Sequence, residues 1–260
     1  MKIDDKLVYL QQYKDTQINL IKLYELCGVE WISKHKALVT AAEEYRSLHP
    51  KTDRNLNVVY VCGKSGYGKT TFAKYLAKKN NMSMYISGQG SHSMDEYNGQ
   101  EALILDDFRG SDYTFNDLLK ILDNHTNSPV DARYRNKDLS DVKMIIITNC
   151  NPINSLYSKL KQDSEYFDKE QAEQLYRRFK HRFISIEGDK DNPKYVLRFI
   201  DENGMVTDGK VLDITTKEIM DYLGIIKEVD QFDPLDCLNT KTGLSWDDYL
   251  TELYRDKDVF

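Results

Sequence analysis

The stretch Gly63-Lys-Ser-Gly-Tyr-Gly-Lys-Thr70 decides the fold of this chain. It matches the phosphate-loop spacing G-x-x-x-x-G-K-[ST] without a gap. The apolar run Asn57–Cys62 before it predicts a buried strand, and the apolar pattern over Lys69–Lys79 predicts a helix after it. A strand, a glycine loop and a helix in this order are what a phosphate cradle requires, so we expect an α/β fold around this loop.

Each residue type in the loop has a chemical role. Gly63, Gly66 and Gly68 let the backbone curl so that its N–H groups point at phosphate oxygens, and the helix N-terminus adds a favourable dipole. Lys69 can then reach the β- and γ-phosphates of ATP, and the Thr70 hydroxyl can ligate Mg2+. The predicted nucleotide-binding residues are Gly63, Lys64, Ser65, Gly66, Tyr67, Gly68, Lys69, Thr70 and Thr71.

Length and composition indicate an ordinary globular protein. The 260 residues suffice for one sizeable core, and no apolar run approaches the roughly 20 residues that a membrane span needs. The N-terminus lacks the apolar core of a signal peptide, and the four cysteines are scattered, which suits a reducing cytoplasm. The net charge of -6 means that any nucleic-acid contact must come from a local basic surface.

The hydrophobic pattern divides the chain into three regions. Residues 1–50 predict helices only, 51–187 alternate strand and helix patterns typical of a parallel sheet flanked by helices, and 188–260 predict a small α+β extension. In the middle region Thr114 and Asp117 have capping-box spacing at the start of a helix. The predicted strands are Val58–Cys62, Ser83–Ile86, Ala102–Leu105, Met144–Thr148, Arg182–Ile186, Tyr195–Ile200 and Lys210–Ile214.

The helical segment over residues 1–50 leaves two interpretations open. Its apolar residues form two periodic faces, separated by Gly28 as a helix stop. Periodicity does not distinguish packing on the core of the same chain from burial against other copies, so simple packing and an oligomerisation collar are both open. The two faces consist of Leu20, Leu23, Tyr24 and Cys27, and of Trp31, Ile32, Leu38, Val39, Ala42 and Tyr45.

The strand Ala102–Leu105 ends in two carboxylates, Asp106 and Asp107. A phosphate-loop sheet needs an acid at this strand end to hold Mg2+ through water, and hydrolysis needs a group that orients or polarises the attacking water. We assign Asp106 to the metal and Asp107 to the water. An isolated Asp-Asp would be a turn, but its place downstream of the loop favours the catalytic role.

A second apolar strand, Met144–Thr148, also ends in polar residues. Thr148 and Asn149 would lie beside the phosphate cradle, at the carboxyl ends of the strands. An amide at Asn149 can hydrogen-bond the γ-phosphate or the attacking water; a cap or turn residue is the alternative. Asn151 precedes Pro152 and shapes the turn.

Two basic stretches are candidates for contacts outside the chain. Arg133, Tyr134, Arg135 and Lys137 place three cations around one aromatic ring, which suits single-stranded nucleic acid, although such a run alone is usually a solvated surface. The predicted helix 168–179 ends in two arginines. Either could reach a neighbouring subunit's nucleotide as an arginine finger, or could simply pair with the helix dipole. These two arginines are Arg177 and Arg178.

This set of motifs, in this order, resembles the superfamily 3 helicases, a branch of the AAA+ ATPases. It is most similar to the helicase part of replication-initiator (Rep) proteins of small circular DNA viruses and related bacterial plasmids, over about residues 55–187. The resemblance implies a hexameric ring that moves along single-stranded DNA. It assigns Gly63–Thr70 as Walker A, Asp106 and Asp107 as Walker B, Arg133–Lys137 as the DNA-contacting hairpin, Asn149 as the sensor, Arg178 with Arg177 as the finger, and residues 1–50 as the oligomerisation segment.

One departure from this family concerns nicking. Full-length initiators of this kind carry an HUH endonuclease before the helicase, whereas this sequence has no His-x-His motif. Tyr75-x-x-Lys78 and Tyr134-x-x-Lys137 match the spacing of its nicking tyrosine by coincidence, because they fall in the loop's helix and in the basic segment. We therefore expect no nicking activity here. The endonuclease would be a separate or fused partner, and both a fragment of a longer initiator and a stand-alone helicase of a plasmid, phage or integrated element agree with the sequence.

The leading interpretation is an oligomeric, Mg2+-dependent ATPase that translocates on or unwinds nucleic acid. An RNA helicase of the same superfamily is an alternative, because these residues do not separate DNA from RNA. A nucleotide-switched ring that recruits or regulates a protein partner is an alternative of another class.

Overall fold

The computed structural model describes residues 3–49, 54–87, 94–108, 113–124, 138–160 and 169–224. Contacts group Met1–Ile219 into one compact unit, and Met220–Phe260 into a second, which is described only as far as residue 224. The predicted basic segment, with Arg133, Tyr134, Arg135 and Lys137, lies outside the described residues.

A single sheet forms the centre of the first unit. In the described residues its strands are β1 (Asn57–Gly63), β2 (Met84–Ser87), β3 (Ala102–Leu105), β4 (Met144–Asn149), β5 (Arg182–Asp189), β6 (Asn192–Ile200) and β7 (Val206–Val211). Their order across the sheet is β2-β3-β4-β1-β5-β6-β7. The first five are parallel, and β6 and β7 are antiparallel additions. The carboxyl ends of β1, β3 and β4 therefore meet at one edge.

Helices precede, connect and follow these strands. They are α1 (Ile3–Lys14), α2 (Leu20–Cys27), α3 (Val29–Lys34), α4 (Lys36–Leu48), α5 (Lys69–Lys79), α6 (Phe115–Ile121), α7 (Ile153–Leu160), α8 (Lys169–Arg178) and α9 (Thr216–Leu223). Helix α5 confirms the predicted bounds, and Thr114 caps α6 by accepting a hydrogen bond from the Asp117 N–H. Within the described ranges, none of these helices combines the length and the apolarity that crossing a bilayer requires.

The strands β3 and β4 are buried along their whole length. They are almost entirely aliphatic, and such continuous apolar runs are typical of central strands of a parallel sheet that is covered on both faces. The α/β fold of the P-loop type is thereby confirmed. Because β3 and β4 are buried in the centre of the sheet, the polar residues directly after them are held in fixed positions at its edge.

Strands β5 to β7 differ in detail from the prediction. The polar stretch 188–193 is the tip of a β5–β6 hairpin, in which Gly188 has a φ of +85°, so β5 extends to Asp189 instead of ending at Ile186. The predicted strand 195–200 lies within β6, whereas the predicted strand 210–214 overlaps β7 only at Lys210 and Val211, because β7 starts earlier, at Val206. Both strands continue the central sheet. The polar composition of this stretch does not by itself indicate a hairpin tip, because other surface loops are equally polar. The predicted domain boundaries, after residue 50 and after residue 187, stay predictions.

Helices α1 to α4 enclose a small core of their own, formed by Tyr13, Leu23, Cys27, Trp31, Ile32, Val39 and Ala42. Gly28 ends α2 with a φ of +79°, as the sequence predicted for a helix stop. Three members of the predicted apolar faces are 41–48% exposed instead: Tyr24, Leu38 and Tyr45. We refer to α1–α4 as the N-terminal bundle.

Candidate nucleotide site

The loop between β1 and α5 is held tightly against β5. A Cβ atom on Gly63 would lie only 2.8 Å from the carbonyl oxygen of Ile186, so any side chain there would force the loop off the sheet. Gly66 has a φ of +79°, a left-handed conformation that glycine adopts without strain. These two glycines give the loop its curled path at the carboxyl end of β1, as the sequence predicted.

Lys69 lies inside this loop, with 9% of its surface exposed. Its ammonium group donates a hydrogen bond of 3.0 Å to the carbonyl oxygen of Lys64 and contacts the Cys150 sulfur at 3.6 Å. A carbonyl and a thiol are weak acceptors compared with a charged phosphate. The lysine is thus prepositioned, and phosphate oxygens would be better partners than those it has.

Asp106 lies directly against Thr70, the last residue of the loop motif. The Thr70 hydroxyl donates to Asp106 Oδ1 at 2.7 Å, and the Thr148 hydroxyl donates to the same oxygen at 2.7 Å. The parallel register pairs Leu105 with Ile147, so the next residues along each strand, Asp106 and Thr148, are neighbours. The structure therefore brings together the two residues predicted to act on a metal.

Thr148 also positions the second acid. Its hydroxyl oxygen accepts a hydrogen bond of 2.8 Å from the backbone N–H of Asp107, whose φ is +45°. This left-handed conformation is uncommon for a residue with a side chain and turns the backbone away from the strand direction. Sequence reasoning placed Thr148 near the cradle but gave it no role, although the strand register was the signal that could have done so.

The residues present fit a nucleotide with Mg2+. Magnesium prefers hard oxygen ligands and is usually held by one or two protein groups together with phosphates and water. The Thr70 hydroxyl and the Asp106 carboxylate, 2.7 Å apart, are such a pair. In the described part of the chain no three His, Cys, Asp or Glu residues cluster as a metal site.

Asn149 is buried beside this site, and most of its amide is already hydrogen-bonded. Its nitrogen donates to the carbonyl oxygen of Phe108 at 2.8 Å, and its oxygen accepts from the backbone N–H of Asn151 at 2.9 Å. It thereby ties the chain after β3 to the chain after β4. One amide hydrogen remains, because an amide nitrogen carries two. The turn role is present, and the sensor role stays a prediction that depends on that hydrogen.

The two arginines precede β5 in the chain. This strand starts at Arg182, whereas the loop starts beside Ile186, four residues further along the same strand. Four residues of strand span roughly 13 Å. Arg178 pairs with Asp123 at 3.3 Å between Nη2 and Oδ2, while Arg177 is exposed and makes no ion pair with the described residues. Asp123 was not anticipated as a partner, since it is distant in sequence.

The tyrosine and cysteine beneath the loop are chemically inert. Burial raises the pKa of the Cys62 thiol to about 11, and burial also raises the pKa of the Tyr60 hydroxyl well above its ordinary value. Both groups stay protonated near neutral pH and serve packing. Cys150, in contrast, is exposed next to Lys69.

A parallel sheet with a glycine loop after β1 and an acid beside it after β3 defines a nucleotide-binding domain of the P-loop class. Residues 59–152 match the family model described as RNA helicase. A protein named "Replication protein" from Onion yellows phytoplasma (strain OY-M) is 32% identical over 219 residues. That match covers 81% of this chain but only 57% of the relative. Together they confirm the resemblance to the superfamily 3 helicase domain of replication-initiator proteins.

Proposed function

We propose that this chain is an ATP-dependent helicase or translocase that acts on single-stranded nucleic acid during replication of a circular plasmid, phage or viral-type DNA. The observation that carries the proposal is the hydrogen bond between Thr70 and Asp106 beside the prepositioned Lys69. It brings the three groups that nucleotide hydrolysis needs, a phosphate-binding cation and two metal-directed oxygens, to one edge of the sheet.

The chemistry follows from this arrangement. Bound Mg2+ would neutralise phosphate charge, with Thr70 and Asp106 as the protein oxygens directed at it. Lys69 would exchange its bonds to Lys64 and Cys150 for phosphate oxygens. Asp107, held by Thr148, would accept a proton from or orient the attacking water.

Two features support a ring, which we propose to be a hexamer. Arg177 is exposed and precedes the end of β5 that lies away from the loop, which supports a finger directed at a neighbouring chain's nucleotide. The N-terminal bundle also exposes large apolar side chains that a neighbour could cover. They are Leu7, Val8, Tyr24, Val29, Leu38, Tyr45 and Leu48.

A mixing experiment tests the ring. We expect Lys69→Ala chains and Arg177→Ala chains, each inactive alone, to regain part of the ATPase activity when mixed, because one interface then combines an intact loop with an intact arginine. Arg178→Ala is the matched comparison, and its pairing with Asp123 within the chain predicts a weaker catalytic effect. No recovery on mixing, in chains shown to assemble together, would contradict the finger from a neighbour.

A second experiment tests the nucleic-acid substrate. Single strands should stimulate the ATPase, and replacing Arg133, Arg135 and Lys137 by alanine should remove that stimulation while basal turnover survives. Each lost phosphate contact should also reduce the log–log salt slope of binding by about 0.7. DNA and RNA oligonucleotides of one sequence, compared side by side, decide between the two substrates.

The control for that experiment removes the same charge elsewhere. Lys36, Lys159 and Lys180 are exposed on three different helices or turns, and their triple alanine variant should keep both affinity and stimulation. If the basic-segment variant behaves like this control, the segment is a solvated surface. Stimulation by a protein partner instead of by single strands would favour the nucleotide-switched ring.

A further inference from the structure

The tip of the β5–β6 hairpin lies over the phosphate loop. The Tyr67 hydroxyl donates a hydrogen bond of 3.1 Å to the carbonyl oxygen of Gly188 in the hairpin. A Cβ atom at Gly66 would lie 3.4 Å from Cε and 3.7 Å from Nζ of Lys190. The hairpin therefore places an ammonium group against the middle of the loop, at a position that no motif in the sequence marks.

The hairpin holds this lysine in place. Strands β5 and β6 pair without a shift from Arg182 opposite Phe199 to Asp189 opposite Asn192, which leaves a two-residue turn of Lys190 and Asp191. Two hydrogen bonds of 2.8 Å from Arg198 to Glu187 brace the same hairpin. Because a ladder of this length fixes its turn, the backbone of Lys190 has a defined position relative to the loop.

The positive charge near the phosphate loop would attract an anion. Lys190 is exposed and makes no hydrogen bond or ion pair with the residues that the structure describes. Lys69 lies inside the loop, so two ammonium groups approach the same short stretch of backbone, one from inside and one from the hairpin. Lys64 is a third basic residue of the loop sequence. The exposed neighbours Asp189 and Asp191 offset part of this charge from the turn. The loop N–H groups add to the attraction for an anion.

We propose that Lys190 is a second cation for the polyphosphate of the bound nucleoside triphosphate, which makes the β5–β6 hairpin a wall of the nucleotide site. The inference rests on the proposed function. The last bonds of the lysine are freely rotatable single bonds, so its ammonium group can turn toward a phosphate that the loop N–H groups hold.

Calorimetric binding to the full chain tests this role, with a non-hydrolysable ATP analogue, ADP and inorganic pyrophosphate as probes. Lys190→Ala should weaken binding of all three about five- to tenfold, as expected for one partly exposed charge-assisted contact. Lys190→Arg keeps a cation and should stay within about threefold of the wild type. Lys194→Ala removes the same charge from an exposed site on the same hairpin and should change affinity less than about twofold.

The outcomes separate the two hypotheses. If the wild type binds none of the probes, the proposed function itself is wrong. If the wild type binds and Lys69→Ala does not, but Lys190→Ala equals Lys194→Ala, only the role of Lys190 is wrong. A loss for the nucleotides without a loss for pyrophosphate would place Lys190 at the base or ribose and would overturn the phosphate contact. Thermal unfolding without ligand verifies that each variant is folded.

Discussion

Lys69→Ala is expected to abolish measurable ATP turnover. The side chain is buried in the loop, and its ammonium group bonds only a carbonyl oxygen and a thiol, so phosphate would take it up directly. Lys190 approaches the loop from outside as an exposed side chain and does not occupy this buried position. Removing a charged group that contacts the reacting phosphates costs at least about 100-fold in rate. Steady-state phosphate release at saturating ATP and Mg2+ measures the effect.

The comparison variants isolate the reason for this loss. Lys78→Ala removes an exposed lysine from the same helix α5 and should retain near wild-type turnover. Asp107→Asn keeps the loop intact, so it should bind ATP normally and hydrolyse it slowly, because an amide cannot accept a proton. Wild-type turnover in Lys69→Ala would refute the nucleotide site. Wild-type turnover in Asp107→Asn would show that Asp107 does not activate the attacking water, and Asp106 would be tested for that role next.

How much of this site the sequence could predict depends on the distance between partners along the chain. The loop and the acid pair are short sequence motifs, and their spacing alone predicts their local structure. Thr148 required one further step, the parallel register of β3 and β4, which aligns residue 106 with residue 148. The sequence contained that information, but only a known strand order makes it usable.

Other contacts had no local signal. The bond between Tyr67 and Gly188 joins residues 121 apart, and the pair of Arg46 and Asp141 joins residues 95 apart. A hairpin tip has the same polar residues as other surface loops, so the sequence alone did not place Lys190 near the phosphate loop, whereas the pairing of β5 with β1 and β6 does. The pairing of Arg178 with Asp123 likewise joins residues far apart in the sequence.

Arg46→Ala is expected to lower the free energy of unfolding by about 3–5 kcal/mol, the usual cost of removing one partner from a buried ion pair. Arg46 is 4% exposed, and its guanidinium group lies 2.6 Å from the Asp141 carboxylate. It also donates to the backbone oxygens of Tyr13 and Ile18 at 3.0 and 3.1 Å. It therefore joins the N-terminal bundle to the turn before β4, and its loss removes the donor from the Asp141 carboxylate and the Ile18 carbonyl, while the Tyr13 carbonyl keeps its bond from the Thr16 N–H. Chemical denaturation measured at pH 7 gives the value.

The stability that Arg46→Ala loses should depend on pH. Burial already raises the pKa of Asp141, with Arg46 opposing that rise, so removing Arg46 raises the pKa further. A carboxyl whose pKa is higher in the folded state stabilises the fold when protonated, and this contribution disappears as the pH rises through the folded-state pKa. The Arg46→Ala variant should accordingly lose less stability in mild acid than at pH 7. Nearby Asp138 and Glu101 act on Asp141 in the same raising direction.

Two comparison variants distinguish a buried pair from a surface pair. Lys143, two residues after Asp141, forms an ion pair with Glu101, but its side chain is 60% exposed. Lys143→Ala should therefore lower the free energy of unfolding by no more than about 1 kcal/mol. The double variant Arg46→Met with Asp141→Leu should recover much of the stability, because neither charge is then left unpaired. A loss in Arg46→Ala as small as that in Lys143→Ala would mean that water reaches the carboxylate and that the bundle is attached to the sheet by its apolar contacts alone.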